Sequence, residues 1–305
     1  MKVAALDLGT NTFLCLIAEV SNGKVEKIIE DQVQIVRLGQ DVNKTKKLHS
    51  EALIRADKCF SDFSKIIQNH QPERILAMAT SAARDVTNAD ELFKIGLKYN
   101  IPIEIIPGEK EADITYKGST SGLNNELRNI VVLDIGGGST ELILGKGNQV
   151  ISSESVNIGC VRLSEIFLKQ QPASEAQLIK MEEYIEKELS HIIQKIKLNH
   201  IDEILAVAGT PTEIARIEIG SFDPKKIDNM KLSKKLLTEK YNLFSKSTVQ
   251  EIESKYQVSK GRADVITVGV LILKKVCEIL NKEHVLVSTR GVRFGVALEL
   301  AERKI

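Results

Sequence analysis

Two similar α/β domains with a cleft between them are what this sequence predicts, on three observations. One pattern occurs twice: an apolar strand, an Asp, a turn of Gly and hydroxyl residues, and a second apolar strand. It runs from Val3 through Asp7 and Gly9-Thr10-Asn11-Thr12 to Ile17, and again from Ile130 through Asp134 and Gly136-Gly137-Gly138-Ser139-Thr140 to Leu144. Each copy opens the same order of elements, β-β-β-α-β-α. The length of 305 residues is long for one core and comfortable for two.

Taken in order, Ser21-Asn22-Gly23 is a hairpin turn leading into a third strand at Lys24 to Ile29. Gln32 to Leu38 continues in strand-like alternation. Between Ser50 and Asn69, the residues Leu53, Ile54, Ala56, Phe60, Phe63, Ile66 and Ile67 recur near a 3.6 period, which predicts an amphipathic helix. Ile75 to Ala79 reads as a buried strand, Ala89 to Tyr99 as a helix and Ile103 to Ile106 as a strand. In the second copy the strands are Ile130 to Leu133, Glu141 to Leu144 and Gln149 to Val156, the last two joined at Gly145-Lys146-Gly147-Asn148. A helix from Ser174 to Leu198 carries Glu and Lys at i, i+4 spacing. A strand at Ile204 to Ala208 and a helix at Pro211 to Ile217 follow. Lys231 to Lys255 reads as helical and mostly solvated, Val265 to Asn281 as a buried helix, and His284 to Ser288 as a last strand before a C-terminal helix.

Composition narrows the function classes. Hydrophobic content of 43% and charged content of 27% belong to an ordinary soluble globular protein. A formal net charge of +1 supplies no global field toward nucleic acid or an anionic membrane, so a polyanion must be held by a local cluster. Aromatic residues are 4% and Trp is absent, which argues against a base-stacking platform. Cys15, Cys59, Cys160 and Cys277 lack C-x-x-C spacing and are expected as buried thiols in a reducing cytoplasm. Asp7 interrupts the N-terminus before a signal-peptide core forms, and the apolar run Val265 to Leu273 is too short to span a bilayer. The five histidines show no metal-ligand spacing.

The chemistry concentrates at the turns. Glycine tolerates positive φ and permits close approach, so each Asp-Gly turn can aim backbone N–H groups at an anion. The expected phosphate contacts are Gly9, Thr10, Asn11 and Thr12 in the first turn and Gly136, Gly137, Gly138 and Ser139 in the second. Asp7 and Asp134 at the strand ends offer hard oxygens to Mg²⁺ or another divalent cation. No G-x-x-x-x-G-K-[ST] string is present. Gly209-Thr210-Pro211-Thr212-Glu213 reads as a capping box with Thr210 as N-cap, and as a further phosphate site at a helix N-terminus. Arg84, one turn beyond Thr80-Ser81, is a bidentate clamp or a surface residue. A hydrolase needs a carboxylate to deprotonate water; Glu111 is the best placed and Glu141 the next, although either equally suits an ordinary structural role.

These motifs resemble the exopolyphosphatase and guanosine pentaphosphate phosphohydrolase family, over nearly the whole chain. Asp7 to Thr12 and Asp134 to Glu141 are similar to its two phosphate loops, Thr80 to Arg84 to its Thr-x-x-x-Arg segment, and Gly108 to Ala112 to the loop bearing its catalytic Glu. Gly159-Cys160-Val161-Arg162, Gly209-Thr210, Arg262-Ala263-Asp264 and Ser288 to Arg293 match further landmarks. The resemblance implies two ribonuclease H-like domains of the actin, sugar kinase and chaperone ATPase superfold. Residues 1–123, with 290–305 packing back on them, would form the first, and 124–289 the second. It implies Glu111 as general base, Asp134 with Glu141 (and Asp7) around Mg²⁺, and Arg84 with Arg290 or Arg293 on the next phosphates. The substrate would be polyphosphate or guanosine pentaphosphate, and the protein a cytoplasmic homodimer without nucleic-acid or membrane partners. Relatives with additional helical domains hold long polymers, and ending at Ile305 favours short polyphosphates or guanosine pentaphosphate. A metabolite kinase of the same superfold and a non-catalytic alarmone sensor are the alternative readings.

Overall fold

The computed structural model describes residues 1–84, 86–123, 128–196 and 200–303. The chain forms two compact units, Met1–Leu123 with Arg290–Ile305, and Asn124–Thr289. The first unit contains β1 (Lys2–Leu8), β2 (Thr12–Ser21), β3 (Lys24–Ile35), the short α1 (Val42–Thr45), α2 (Ser50–His70), β4 (Arg74–Ala79), the short α3 (Ser81–Arg84), α4 (Ala89–Lys98), β5 (Ile103–Ile105) and α5 (Gly108–Thr120). Its sheet order is β3-β2-β1-β4-β5, antiparallel between the first three strands and parallel thereafter. Asn22 and Gly23 both adopt positive φ, as the tight turn between β2 and β3 requires. β3 continues to Ile35, so the alternation expected separately at Gln32 belongs to the same strand.

Strand alternation sends β1 to two cores. Ala4, Leu6 and Leu8 meet Phe13, Ala56, Cys59, Phe60 and Phe63 on the α2 side. Val3 and Ala5 meet Leu16, Phe294, Val296 and Ala297 on the other, where the C-terminal helix (Val292–Glu302) lies. Both sheet faces are therefore covered, which is why these strands read as continuous apolar runs. The C-terminal helix crosses α5 at backbone contact: a Cβ on Gly118 would fall 2.2 Å from the Gly291 carbonyl oxygen, and one on Gly295 would fall 2.0 Å from that of Ile114. The far end is held by Arg303, which donates to Glu104 and Glu299.

The second unit repeats the plan with β6 (Asn129–Ile135), β7 (Thr140–Lys146), β8 (Gln149–Val156), α6 (Cys160–Phe167), α7 (Glu175–Lys195), β9 (Glu203–Val207), α8 (Gly209–Ile219), the short α9 (Pro224–Ile227), β10 (Lys231–Ser233), α10 (Lys234–Phe244), α11 (Val249–Ser254), α12 (Ile266–Ile279) and β11 (His284–Val287). Its sheet order is β10-β11-β9-β6-β7-β8. Ser174 caps α7 with a capping box; the expected extension to Leu198 falls outside the described residues. Helix α6 has no counterpart in the sequence reading, because Gly159 caps it without a side-chain hydrogen bond. The stretch Lys231 to Lys255, expected to be helical and mostly solvated, is helical after a short strand, as two capped helices, and the solvated part of the expectation is corrected. Leu237, Tyr241, Phe244 and Ile252 of this stretch are buried in the core. All four cysteines are buried free thiols. No helix among the described residues is long and apolar enough to cross a membrane.

Because Gly295 admits the Ile114 carbonyl, Gly295→Ala is expected to cost about 1–3 kcal/mol by overpacking. The midpoint of urea denaturation checks this.

Candidate active site

In each Asp-Gly turn the geometry is the same. Gly9 N donates to Thr12 O at 3.0 Å and Gly136 N to Ser139 O at 2.9 Å, and a Cβ on either glycine would lie 3.1 Å from that same carbonyl oxygen. None of Gly9, Gly136, Gly137 and Gly138 has positive φ. Close approach at Gly9 and Gly136, rather than left-handed backbone, is thus what these turns require.

The turn carbonyls are tied back by neighbouring chain. In the first unit Gly39 N donates to Thr10 O at 2.9 Å, and Val36 N and Arg37 N donate to Asn11 O at 3.0 and 2.9 Å. In the second, Cys160 N donates to Gly136 O at 3.0 Å, Val161 N and Arg162 N to Gly137 O at 2.9 and 3.0 Å, and Arg162 Nε to Gly138 O at 2.8 Å. In a trans peptide the N–H points opposite the preceding C=O. The N–H groups of Asn11, Gly137, Gly138 and Ser139 therefore point away from these supports. Gly159 is required where α6 meets the second turn, since a Cβ there would sit 2.4 Å from Gly137 O.

The copies differ in their carboxylates. Asp134 pairs in register with Glu141, whereas Asp7 pairs with Leu14. Glu141 is buried and accepts a hydrogen bond from Ser155 Oγ at 2.8 Å. Like charges at directly opposed strand positions repel, and a hard cation relieves this. Among the described residues no group of three or more His, Cys, Asp and Glu could hold a metal ion. Asp134 and Glu141 still fit Mg²⁺, which keeps several waters and is commonly held by one or two carboxylates plus phosphate oxygens.

In the first unit, Glu111 sits buried in the first turn of α5. Arg84 Nη1 donates to Glu111 Oε2 at 2.5 Å and to Ile106 O at 2.9 Å. Burial raises the Glu111 pKa above the ordinary carboxylate value, and the Arg84 charge opposes the rise. Burial, then the charge of Glu111, pushes Asp7 up to about 7 against the pull of Arg293. Arg293 is buried and donates from Nε and Nη2 to Asp31, both at 2.8 Å. That bidentate pair links the C-terminal helix to β3. Arg290 donates to Ser121 Oγ at 3.2 Å and lies over the Phe294 ring.

The capping box expected at Thr210 is overturned. Helix α8 begins at Gly209, with Ala208 as N-cap at φ 71° and no side-chain cap hydrogen bond. Glu213 instead accepts from Ser259 N at 2.6 Å and Arg216 Nη2 at 2.8 Å. Burial raises its pKa, but these Arg216 and Ser259 contacts hold it below the ordinary value. Thr210 is buried against Gly269, and Gly209 makes room for Arg262, whose Nη1 would lie 1.7 Å from an added Cβ. Arg162 and Arg262 lie within sequence motifs that by themselves indicate no role for either side chain. Gly159 and Gly209, each lacking a side chain where a neighbour intrudes, were the available signals.

The Asp7 carboxyl keeps its proton up to about 7 in the native protein and only to 3.8 without its surroundings. The native state thus binds more protons between these values, and stability falls as pH rises through that window. Asp7→Asn is expected to flatten this slope and raise the urea midpoint at alkaline pH, measured without divalent cations.

The Ppx/GppA phosphatase family model matches residues 16–304. The chain is 37% identical over 315 aligned residues to a bifunctional 3-dehydroquinate synthase/phosphatase of Fusobacterium nucleatum, covering 99% of this chain and 47% of that one. It therefore spans about half the length of that relative. It is 31% identical to exopolyphosphatase 2 of Mycobacterium tuberculosis, covering 98% of both chains. The crystal structure of the Aquifex aeolicus Ppx/GppA family member matches with a TM-score of 0.83 at 30% identity, covering 100% of this chain and 99% of that one. With the family model spanning nearly all of its length and a full-length structural match beside it, this chain belongs to the Ppx/GppA phosphatase family.

Proposed function

We propose that this protein releases the terminal phosphate of inorganic polyphosphate or guanosine pentaphosphate by in-line attack of water. The observation that carries the reading is the pair of Asp-Gly turns whose carbonyls are tied back, leaving outward N–H groups for phosphate oxygens. Phosphoryl transfer needs positioning and charge stabilisation more than covalent chemistry, and such donors supply both. Glu111 would orient the attacking water and take its proton. Its raised pKa brings a base closer to neutral pH, and Arg84 keeps the side chain oriented. Asp134 and Glu141 would hold Mg²⁺, which when bound neutralises charge on the phosphoryl oxygens. Gly9, Thr10, Asn11 and Thr12, together with Gly136 to Ser139, would contact the phosphates. Arg84 and Arg290 would follow on the next groups, and Gly209 with Thr210 would provide a third contact.

The exopolyphosphatase name of the Mycobacterium relative supports hydrolysis over the kinase reading. The buried free thiols suit a reducing cytoplasm, and a homodimer is the usual assembly of a soluble enzyme.

Glu111→Gln is expected to lower kcat by about 10²–10⁴-fold while substrate still binds, read by phosphate release and by calorimetric titration. Near-normal kcat would reject Glu111 as base, and binding without any release by the unaltered protein would favour a sensor. Asp134→Asn with Glu141→Gln should abolish the rise in phosphate release on adding Mg²⁺. Persistence of that rise would remove these two carboxylates from the cation site.

A further inference from the structure

Residues 36–48, between β3 and α2, carry Arg37, Lys44, Lys46 and Lys47 against the single carboxylate of Asp41, in a chain whose overall charge is only +1. Lys44, Lys46 and Lys47 are exposed, and Lys44 Nζ donates to the Asp41 carboxylate at 3.1 Å. The loop is pinned at both ends to first-unit site segments. Gly39 N donates to Thr10 O of the phosphate turn, and Thr87 N, three residues beyond Arg84, donates to Lys46 O at 2.9 Å. Asn88 Oδ1 accepts from Leu48 N at 2.8 Å, and Asn88 Nδ2 returns a bond to Leu48 O. Arg55 of α2 braces the base, donating to Val36 O at 2.6 Å and Gln40 Oε1 at 2.8 Å.

Its backbone is also held in an unfavourable form. Arg37 adopts a φ of 54°, a left-handed conformation that non-glycine residues rarely take, while Asp41 and Lys46, at 55° and 54°, are the two caps of the short α1. Such conformations persist when the surroundings over-determine them, and they cluster at ligand clamps. A loop held this way, cationic and fastened to the turn and the Arg84 segment, matches a polyanion extending past the reacting end.

We propose that residues 37–47 form a distal subsite for linear polyphosphate, with Lys44, Lys46 and Lys47 meeting phosphates beyond those engaged at the first turn. Lysines suit this task, as flexible point charges that follow a chain without fixed geometry. The proposal rests on the phosphohydrolase reading for its account of turnover, but not for binding.

The test compares the full chain with the exposed triple variant Lys44→Gln, Lys46→Gln, Lys47→Gln. On long-chain polyphosphate, kcat/KM should fall about tenfold through KM, the sum of a few exposed charge contacts. Tripolyphosphate and guanosine pentaphosphate should stay within about twofold, and the salt dependence on the long chain should become shallower. An equal loss on all three substrates, a loss on guanosine pentaphosphate alone, or no loss on the long chain would overturn the subsite. Filter retention of long-chain polyphosphate is measured in parallel. Lysine-dependent retention with no phosphate release by the unaltered protein would sink the hydrolase reading and keep this one.

Discussion

A glycine-rich turn can offer its N–H groups to an anion only if its carbonyl oxygens are kept from the same space, and the turns in both halves of this protein meet that constraint. The two copies meet it with different partners. In the first, amides of the segment after β3 take up Thr10 O and Asn11 O; in the second, the first turn of α6 takes up Gly136 O and Gly137 O, and the Arg162 side chain takes Gly138 O. Helix α6 thus spends its own N-terminal donors on the turn instead of on a ligand. The electropositive helix end supports the second turn from behind, which is why Gly159 has no room for a side chain.

The copies have diverged around this common frame. The register position opposite the strand-end Asp is Leu14 in one and Glu141 in the other, so the second copy presents a carboxylate pair and the first a lone Asp. The first unit instead places Glu111 and Arg84 together, on segments that follow two different strands. The helix bearing Glu111 is fixed by its glycine-mediated crossing with the C-terminal helix, and that helix is itself anchored by Arg293 on Asp31 and by Arg303 on Glu104. A chain segment remote in sequence therefore sets the position of the candidate base.

Most strands were legible because both sheet faces are buried and the strands read as apolar runs between turn residues; α2 was legible from its one-sided periodicity. Helix α6 was not, since a short helix with a glycine cap carries neither a cap signal nor enough turns for a period. The stretch from Lys231 was misjudged because many lysines mask the buried set Leu237, Tyr241 and Phe244, which a strand and two short helices bring inward. At α8 a local rule pointed to Thr210 as cap, but the packing of Thr210 on Gly269 and of Arg262 on Gly209 moves the helix start.

The residues in order were sufficient to determine the duplicated β-Asp-Gly units, the expected phosphate turns and the carboxylates, because alternation and turn chemistry act over a few neighbours. Only the tertiary structure decided that Arg293 belongs to Asp31, that Arg84 belongs to Glu111, and which backbone carbonyls are withdrawn from the turns. Those outcomes join groups 27 to 262 positions apart for the arginine pairs, and hydrogen bonds of that span exist only once the sheets and helices have packed.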